Sequence, residues 1–407
     1  MNVQNNRILM IDALRGFALA GIFLLHHIQH FNFFVKPEFT PSWLIPIDAW
    51  LKDSMNCLIA GKAFALFSLL FGLSYWIIYE NAQKRGDEYL FRHFWRMALL
   101  VCFGLFHTLF FAGDILIMYA VLGLPLVLTR YMSNKAMLCT AFVLLINPVS
   151  VATILSYVFT DNIYSLPLSY PEGSLKPLLI GGSFGQLMQA HFNFAYLSSV
   201  IWSWNVGRIV AILGLFFLGA YFAKNKTLTE GSLKFWYYFL IISLISLVCL
   251  NFINDLAIAS AENKDERRLL WQIMQRYIKI TMALGILSIF IILWRHNKGT
   301  PFFSKFINFG RMGLTNYILM SIFGSFLYYG WGLGLYKYLG ISASLAIGIT
   351  LLVVQIKFST FWFNKFGQGP LERLWRRLTW LNSHSNNIAK ASTASFTKTK
   401  LSEHQHE

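Results

Sequence analysis

Charge is what this sequence has least of. Asp, Glu, Lys and Arg make up 13% of its 407 residues, against 56% for the hydrophobic set. That balance excludes a soluble domain with an ordinary polar surface, and a disordered chain as well. Cysteine is nearly absent: Cys57, Cys102, Cys139 and Cys249 show neither metal nor redox spacing, so buried, unpaired thiols are expected. Acid is scarcer than base, with 18 Asp and Glu against 34 Lys and Arg and a net charge of +16. The basic residues are scattered between apolar runs rather than gathered on one soluble face, which argues against nucleic acid as a partner. Proline inside those runs is confined to Pro125 and Pro148.

What is present is apolar sequence in pieces of membrane length. About ten runs approach the twenty residues a bilayer requires: Ile8–Phe31, Cys57–Tyr79, Phe94–Phe111, Ile115–Thr129, Ala136–Phe159, Trp204–Ala223, Phe235–Ile253, Tyr277–Trp294, Met312–Tyr329 and Ile341–Phe361. The expected fold is all-α and multipass, with residues 1–380 forming the transmembrane domain. After Trp380 the composition turns to Ser, Asn, Lys, Thr and His, so 381–407 reads as a disordered tail. Residues 161–203, rich in Gly, Pro and aromatics, read as a loop or lid over the outer face. Asp12 and Arg15 interrupt the first apolar run, so a cleaved signal peptide is not expected and that span is read as retained.

Basic flanks set the orientation. Lys84, Arg85, Arg92, Arg96, Arg130, Lys135, Lys224, Lys226, Arg295 and Lys305 fall on one side, together with Arg373, Arg376 and Arg377. Both termini are therefore expected in the cytoplasm. Only Asn263-Lys-Asp-Glu-Arg267-Arg268 runs against this assignment.

The few charges inside the spans are the strongest functional signal, because an ionisable group in hydrocarbon is costly and usually faces a protein interior or a wet cavity. Asp12, Arg15, His26 and His30 fall within about 60° on one helical face. Arg96 and His107, eleven apart, share a face of the third span. Sorted by depth, His26, Lys62, His107, Asp114 and Arg208 belong to the outer half. Asp12, Arg15, Arg96, Arg311, Asn316 and Lys357 belong to the inner half. Bland readings stand beside these: an Asp12–Arg15 ion pair, Asp114 as a helix cap, Arg208, Arg311 and Lys357 snorkelling to headgroups, and His107 as a helix-to-helix hydrogen bond. His26 and His30 at i, i+4 are too sparse a set to imply a metal.

Several blocks together resemble the YeiB-like bacterial inner-membrane proteins, a family of unknown function. They are Asp12-Ala-Leu-Arg15-Gly16, Gly61-Lys62-Ala-Phe-Ala-Leu-Phe67-Ser68, Phe103-Gly104-Leu-Phe-His107, Gly113-Asp114 and Gly310-Arg311-Met312-Gly-Leu-Thr315-Asn316-Tyr317. The opening block is also similar to transmembrane acyltransferases of the heparan-alpha-glucosaminide N-acetyltransferase type, with His26 where those chains carry Asn. That likeness implies transfer of an acyl group from cytosolic acyl-CoA, used as cosubstrate rather than bound cofactor, to a glycan or small molecule beyond the membrane.

Three functions fit these residues. In an acyltransferase, Arg15, Arg96 and Arg311 would receive the donor's phosphates, with Asp12 among them. His107, or else His26, would act as general base, Asp114 would orient it, and Lys62, Arg208 and Asn316 would position substrate. A secondary transporter would use the same polar tunnel and titratable groups. A structural protein would use the polar stripe only to specify helix packing.

Overall fold

The computed structural model describes residues 3–31, 37–160 and 168–380. The first half comprises α1 (Val3–Ile28), α2 (Leu44–Leu58), α3 (Lys62–Lys84), α4 (Leu90–Thr108), α5 (Leu116–Gly123), α6 (Asn134–Ile146) and α7 (Pro148–Thr160). A helical connection follows, with α8 (Lys176–Gly181), α9 (Phe184–Ala190) and α10 (Tyr196–Asn205). Then come α11 (Arg208–Lys224), α12 (Thr227–Glu230), α13 (Leu233–Ser260), α14 (Lys264–Arg295), α15 (Thr300–Phe303) and α16 (Ile307–Arg311). The chain closes with α17 (Gly313–Tyr328), α18 (Ile341–Phe366) and α19 (Pro370–Thr379). No strand occurs among the described residues.

The protein is an all-helical membrane protein. Among the described residues five helices are long and apolar enough to cross a bilayer, or up to seven when two bent pairs count as one span each. Each of the ten apolar runs coincides with helix, but α5 and α17 are short, and α4 carries too much charge to count on hydropathy alone. The bent pairs break at Asn147, by 43°, and at Gly207, by 71°. Pro148 accounts for the first, since it cannot donate into the preceding turn.

Two helices form the centre. Ala13 and Leu14 of α1 and Ile212, Phe216 and Ala220 of α11 are fully enclosed. Around them, α3 packs on α1 and α11, α16 to α18 pack on α1, and α14 joins α13 to α3. The outward faces of α13 and α18 instead expose Ile242, Val248, Phe252, Val354 and Phe361, the pattern of helices whose solvent is lipid. All four cysteines are exposed rather than buried. They are hydrophobic enough to sit on helix surfaces that face acyl chains, so the expectation of burial fails for a reason specific to membranes.

The contact between α1 and α16 is set by two glycines. A β-carbon on Gly16 would lie 2.1 Å from the Phe306 carbonyl oxygen, and one on Gly310 would lie 2.1 Å from that of Asp12. Only glycine allows the two backbones this close. The interlock delivers Arg311 to Asp12.

Helix α1 stops at Ile28, and His30 and Phe31 take positive φ values of 46° and 55°. His30 is therefore not on the α1 stripe expected from the sequence. Its Nε2 lies 2.7 Å from Ser344 Oγ, and His27 Nδ1 lies 2.9 Å from the Tyr328 hydroxyl. The two histidines tie the end of α1 to α17 and α18. Within the expected lid, 161–167 fall outside the described residues. The rest is helical and docks on the same end of the bundle: His191 Nδ1 is 2.8 Å from the Thr108 carbonyl, and Gly330 N–H donates to Leu179 O at 2.7 Å. The tail expected to be disordered, 381–407, also lies outside the described residues.

Candidate functional site

A cavity of about 270 Å³ lies between α1, α3, α4, α5, α17 and α19. Its walls are mostly apolar, with Phe64, Phe67, Phe71, Leu100, Tyr119 and Tyr317 among the lining residues. Arg15, Arg96, Arg311, Glu372 and Trp375 also line it, on the side where α19 packs against α4 and α17. An apolar chamber with a cationic mouth suits an amphiphile that carries anionic groups at one end.

The arginines are held, not loose. Asp12 accepts from Arg15 Nη1 at 3.0 Å through Oδ1 and from Arg311 Nε at 2.9 Å through Oδ2. Arg15 Nη2 also donates to Ser74 Oγ at 2.9 Å. The Asp12–Arg15 pair foreseen from the sequence thus exists, but Arg311 completes it, and Arg311 points inward rather than snorkelling. Arg96 lies over Trp375, its Cζ 4.5 Å from the ring centroid. No carboxylate pairs with Arg96 among the described residues.

Glu372 is a residue the sequence reading missed. Its carboxylate accepts from Leu314 N at 2.7 Å, Thr315 N at 3.0 Å and Thr315 Oγ1 at 2.6 Å, so it caps the first turn of α17 from outside that helix. Burial pushes its carboxyl above the ordinary range, while the hydrogen bonds from Thr315 and Leu314 pull the other way. The available signal was a lone acid in the basic stretch Pro370-Leu-Glu372-Arg-Leu-Trp375-Arg-Arg377. Helix α19 is further held by Trp95 Nε1 donating to Leu378 O at 2.9 Å and by Arg92 stacked 4.0 Å over Trp380. Glu372→Ala should free α19, cost about 1–3 kcal/mol of stability, and speed limited proteolysis near Gly367. Unchanged proteolysis and melting would show that the cap contributes nothing.

Beyond the cavity's far end, His107 is fully enclosed and stacks on Tyr317, ring centroids 4.6 Å apart. Its Nε2 lies 2.6 Å from Ser321 Oγ, and its Nδ1 lies 2.8 Å from Asp114 Oδ1. The second contact is close, but the ring N–H is not aimed along it. The other Asp114 oxygen accepts from Ile117 N at 2.9 Å. Asp114 is therefore both the cap at the start of α5 and the carboxylate beside the imidazole. An acid, an imidazole and a hydroxyl in this order form the constellation used for acyl transfer on many unrelated folds. Ser321 was not foreseen, because nothing distinguishes it in sequence from the other serines of the spans. Its place one turn after Tyr317 was the only cue.

The remaining candidates divide. His26 stacks on Phe31 at 5.4 Å and meets Phe111 edge-on at 5.0 Å, and its Nδ1 has no hydrogen-bond partner among the described residues. Arg208 lies 3.8 Å over the Phe64 ring, just behind the cavity wall, and Lys62 donates to Asn56 O at 3.1 Å. None of these three lines the cavity. Asn316 does not line it either: its Nδ2 donates to Phe309 O at 3.0 Å and Ser359 Oγ at 2.9 Å, which makes it the pin between α16, α17 and α18. Lys357 is exposed on α18, as snorkelling requires. Among the described residues no three His, Cys, Asp or Glu side chains are placed to hold a metal ion.

The fold and site define a helical membrane protein with an arginine-mouthed apolar cavity backed by a buried polar chain. Residues 222–382 match the family model described as "Protein of unknown function (DUF418)". Over 93% of its length the chain is 28% identical to the uncharacterized protein YxaH of Bacillus subtilis (strain 168), covering 96% of that protein. It is 26% identical to the uncharacterized protein YeiB of Escherichia coli (strain K12), across 94% of this chain and 98% of that one. It is 27% identical to an uncharacterized 39.9 kDa protein in the amylase 3'region of Bacillus acidopullulyticus, across 92% of this chain and 94% of that one. Along nearly its whole length the chain is thus similar to YeiB-like proteins of unknown function, as its sequence blocks indicate.

Proposed function

We propose that the protein is a membrane acyltransferase. It takes an acyl group from an acyl-CoA seated at the arginine end of the cavity and passes it, by way of Ser321, to a hydroxyl or amine of a glycan or small molecule on the opposite side. The observation that carries this reading is the Asp114–His107–Ser321 chain standing behind an apolar cavity with three arginines at its mouth. At about 270 Å³ the cavity suits an acyl chain and thioester arm, with the nucleotide phosphates left at Arg15, Arg96 and Arg311.

In this reading Tyr317, which separates the cavity from His107, swings aside when the donor enters. Ser321 Oγ attacks the thioester carbonyl, its proton passes to His107 Nε2, and the carbon–sulfur bond breaks. The same proton then goes to the departing thiolate. In the second half the acceptor attacks the seryl ester, its proton passes through Nε2, and Ser321 Oγ leaves as the hydroxyl. Asp114 keeps the imidazole oriented and stabilises its charged form.

Purified protein in nanodiscs should bind acyl-CoA and release free thiol slowly without acceptor. Binding should weaken in Arg96→Ala, with turnover partly recovered at saturating donor. Absence of both binding and thiol release, across several acyl lengths, would sink the reading. The orientation it requires is the one the basic flanks favour, with both termini and the arginine mouth in the cytosol of the bacterial inner membrane. A periplasm-active reporter fused after Trp380 should stay dark and one within 168–203 should be bright; the reverse result overturns it.

One observation favours transport of a small solute instead. The spans broken at Asn147 and Gly207 are what moving carriers use. Solute flux in liposomes without thiol release would select that reading.

A further inference from the structure

Three cations converge on the first turn of α3. Lys62 opens that helix and is only 3% exposed. Lys279, arriving from α14, lays its stem on Gly61 so closely that a β-carbon there would lie 2.8 Å from its Cδ. Arg208, the first residue of α11, rests on the ring of Phe64, two residues past Lys62. Lys279 lies within Coulomb reach of both Lys62 and Arg208. Arg276, one turn before Lys279, has neutral partners among the described residues: it donates to Val206 O at 3.3 Å and Ser150 Oγ at 2.8 Å.

No carboxylate is within 4.0 Å of any of these four cations among the described residues. The contrast with the arginine cluster is informative, since there Asp12 pairs with both Arg15 and Arg311. Like charges packed together at membrane depth without a counter-ion are strongly unfavourable. The sequence could have relieved this with one acid on α3, α11 or α14, and the facing turns carry none.

We propose that Lys62, Arg208 and Lys279 form a binding site for a phosphate-bearing ligand, the phosphate oxygens supplying the missing counter-charge. Two flexible ammonium groups and one planar guanidinium suit a multiply charged tetrahedral oxyanion better than a single carboxylate. The phosphate can belong to a soluble molecule or to the headgroup of an anionic lipid. The site does not line the arginine-mouthed cavity and stands whether or not the protein transfers acyl groups.

The test uses the full chain, purified without phosphate and placed in nanodiscs of phosphatidylcholine. Inorganic phosphate and pyrophosphate should raise the melting temperature, while chloride at matched ionic strength should not. Stabilisation by added phosphatidylglycerol, without a response to the free anions, assigns the phosphate to lipid. Stabilisation by the free anions assigns it to a soluble ligand. Lys279→Gln should weaken whichever response is seen by about ten- to a hundredfold in apparent Kd, the value of one charge-assisted contact. Removing one of several like charges should not prevent folding. Lys279→Glu brings its own counter-charge and should melt higher than the parent without any anion, while losing the phosphate response. The proposal is overturned if no phosphate source stabilises the protein beyond the chloride control, or if both variants respond as the parent does.

Discussion

His107→Ala is expected to lower acyl transfer by about 10²- to 10⁴-fold, the usual consequence of losing a positioned base. Donor affinity should hardly change, because Arg15, Arg96 and Arg311 sit at the α19 end of the cavity while His107 stands beyond Tyr317. Ser321→Ala should fall as far but differ in kind. It removes the atom that carries the acyl group, so it should abolish even the slow thiol release seen without acceptor. Ser321→Cys should retain some of that release, since a thiol beside an imidazole remains a nucleophile. Each change leaves a buried polar group without its partner, so melting must be measured alongside turnover. Full activity in Ser321→Ala with loss in His107→Ala would place the imidazole directly on the acceptor and remove the relay. Full activity in both would move the chemistry elsewhere, His26 being the next imidazole.

The largest effect on stability is expected at Asp12. Its carboxylate is the only one paired with Arg15 or Arg311 among the described residues, and its side chain is 12% exposed. Asp12→Ala leaves two guanidiniums facing each other across an interlocked helix pair, at a cost of about 3 kcal/mol or more. Asp12→Asn should recover little, because an amide can accept only one of the two hydrogen bonds and brings no charge. If the electrostatic account is right, Asp12→Leu combined with Arg311→Met should melt well above Asp12→Ala, since the double change removes charge from both sides of the pair. Equal melting of the single and double variants would mean that Asp12 acts through packing alone.

Much of the fold was legible because hydrophobic runs of membrane length admit little besides helices. What the runs could not give was how helices end and bend. Ile28 is followed by left-handed residues that turn His30 away from the α1 stripe, and neither charge nor hydropathy announces such a turn. The break at Pro148 was visible as a proline, whereas the one at Gly207 was not. Of the site, the acid–arginine layer was readable from depth and spacing, because a carboxylate in an apolar run has few places to go. Arg311 was assigned to that layer but not to Asp12, since that contact depends on the close approach of Gly16 and Gly310. Asp114 was readable as a cap and as a catalytic candidate, and it fills the first place while standing beside His107. Ser321 and Glu372 escaped for one reason: each has an ordinary residue type, and only tertiary contact gives it a partner.

The most direct test of the central claim is mass spectrometry of the purified protein after brief exposure to acyl-CoA without acceptor. Acyl transfer through the Asp114–His107–Ser321 chain predicts one added acyl group, mapped to the peptide that contains Ser321, absent in Ser321→Ala and released as product when acceptor is added. Thiol release with no covalent adduct on that peptide, or an adduct that persists in Ser321→Ala, would contradict it.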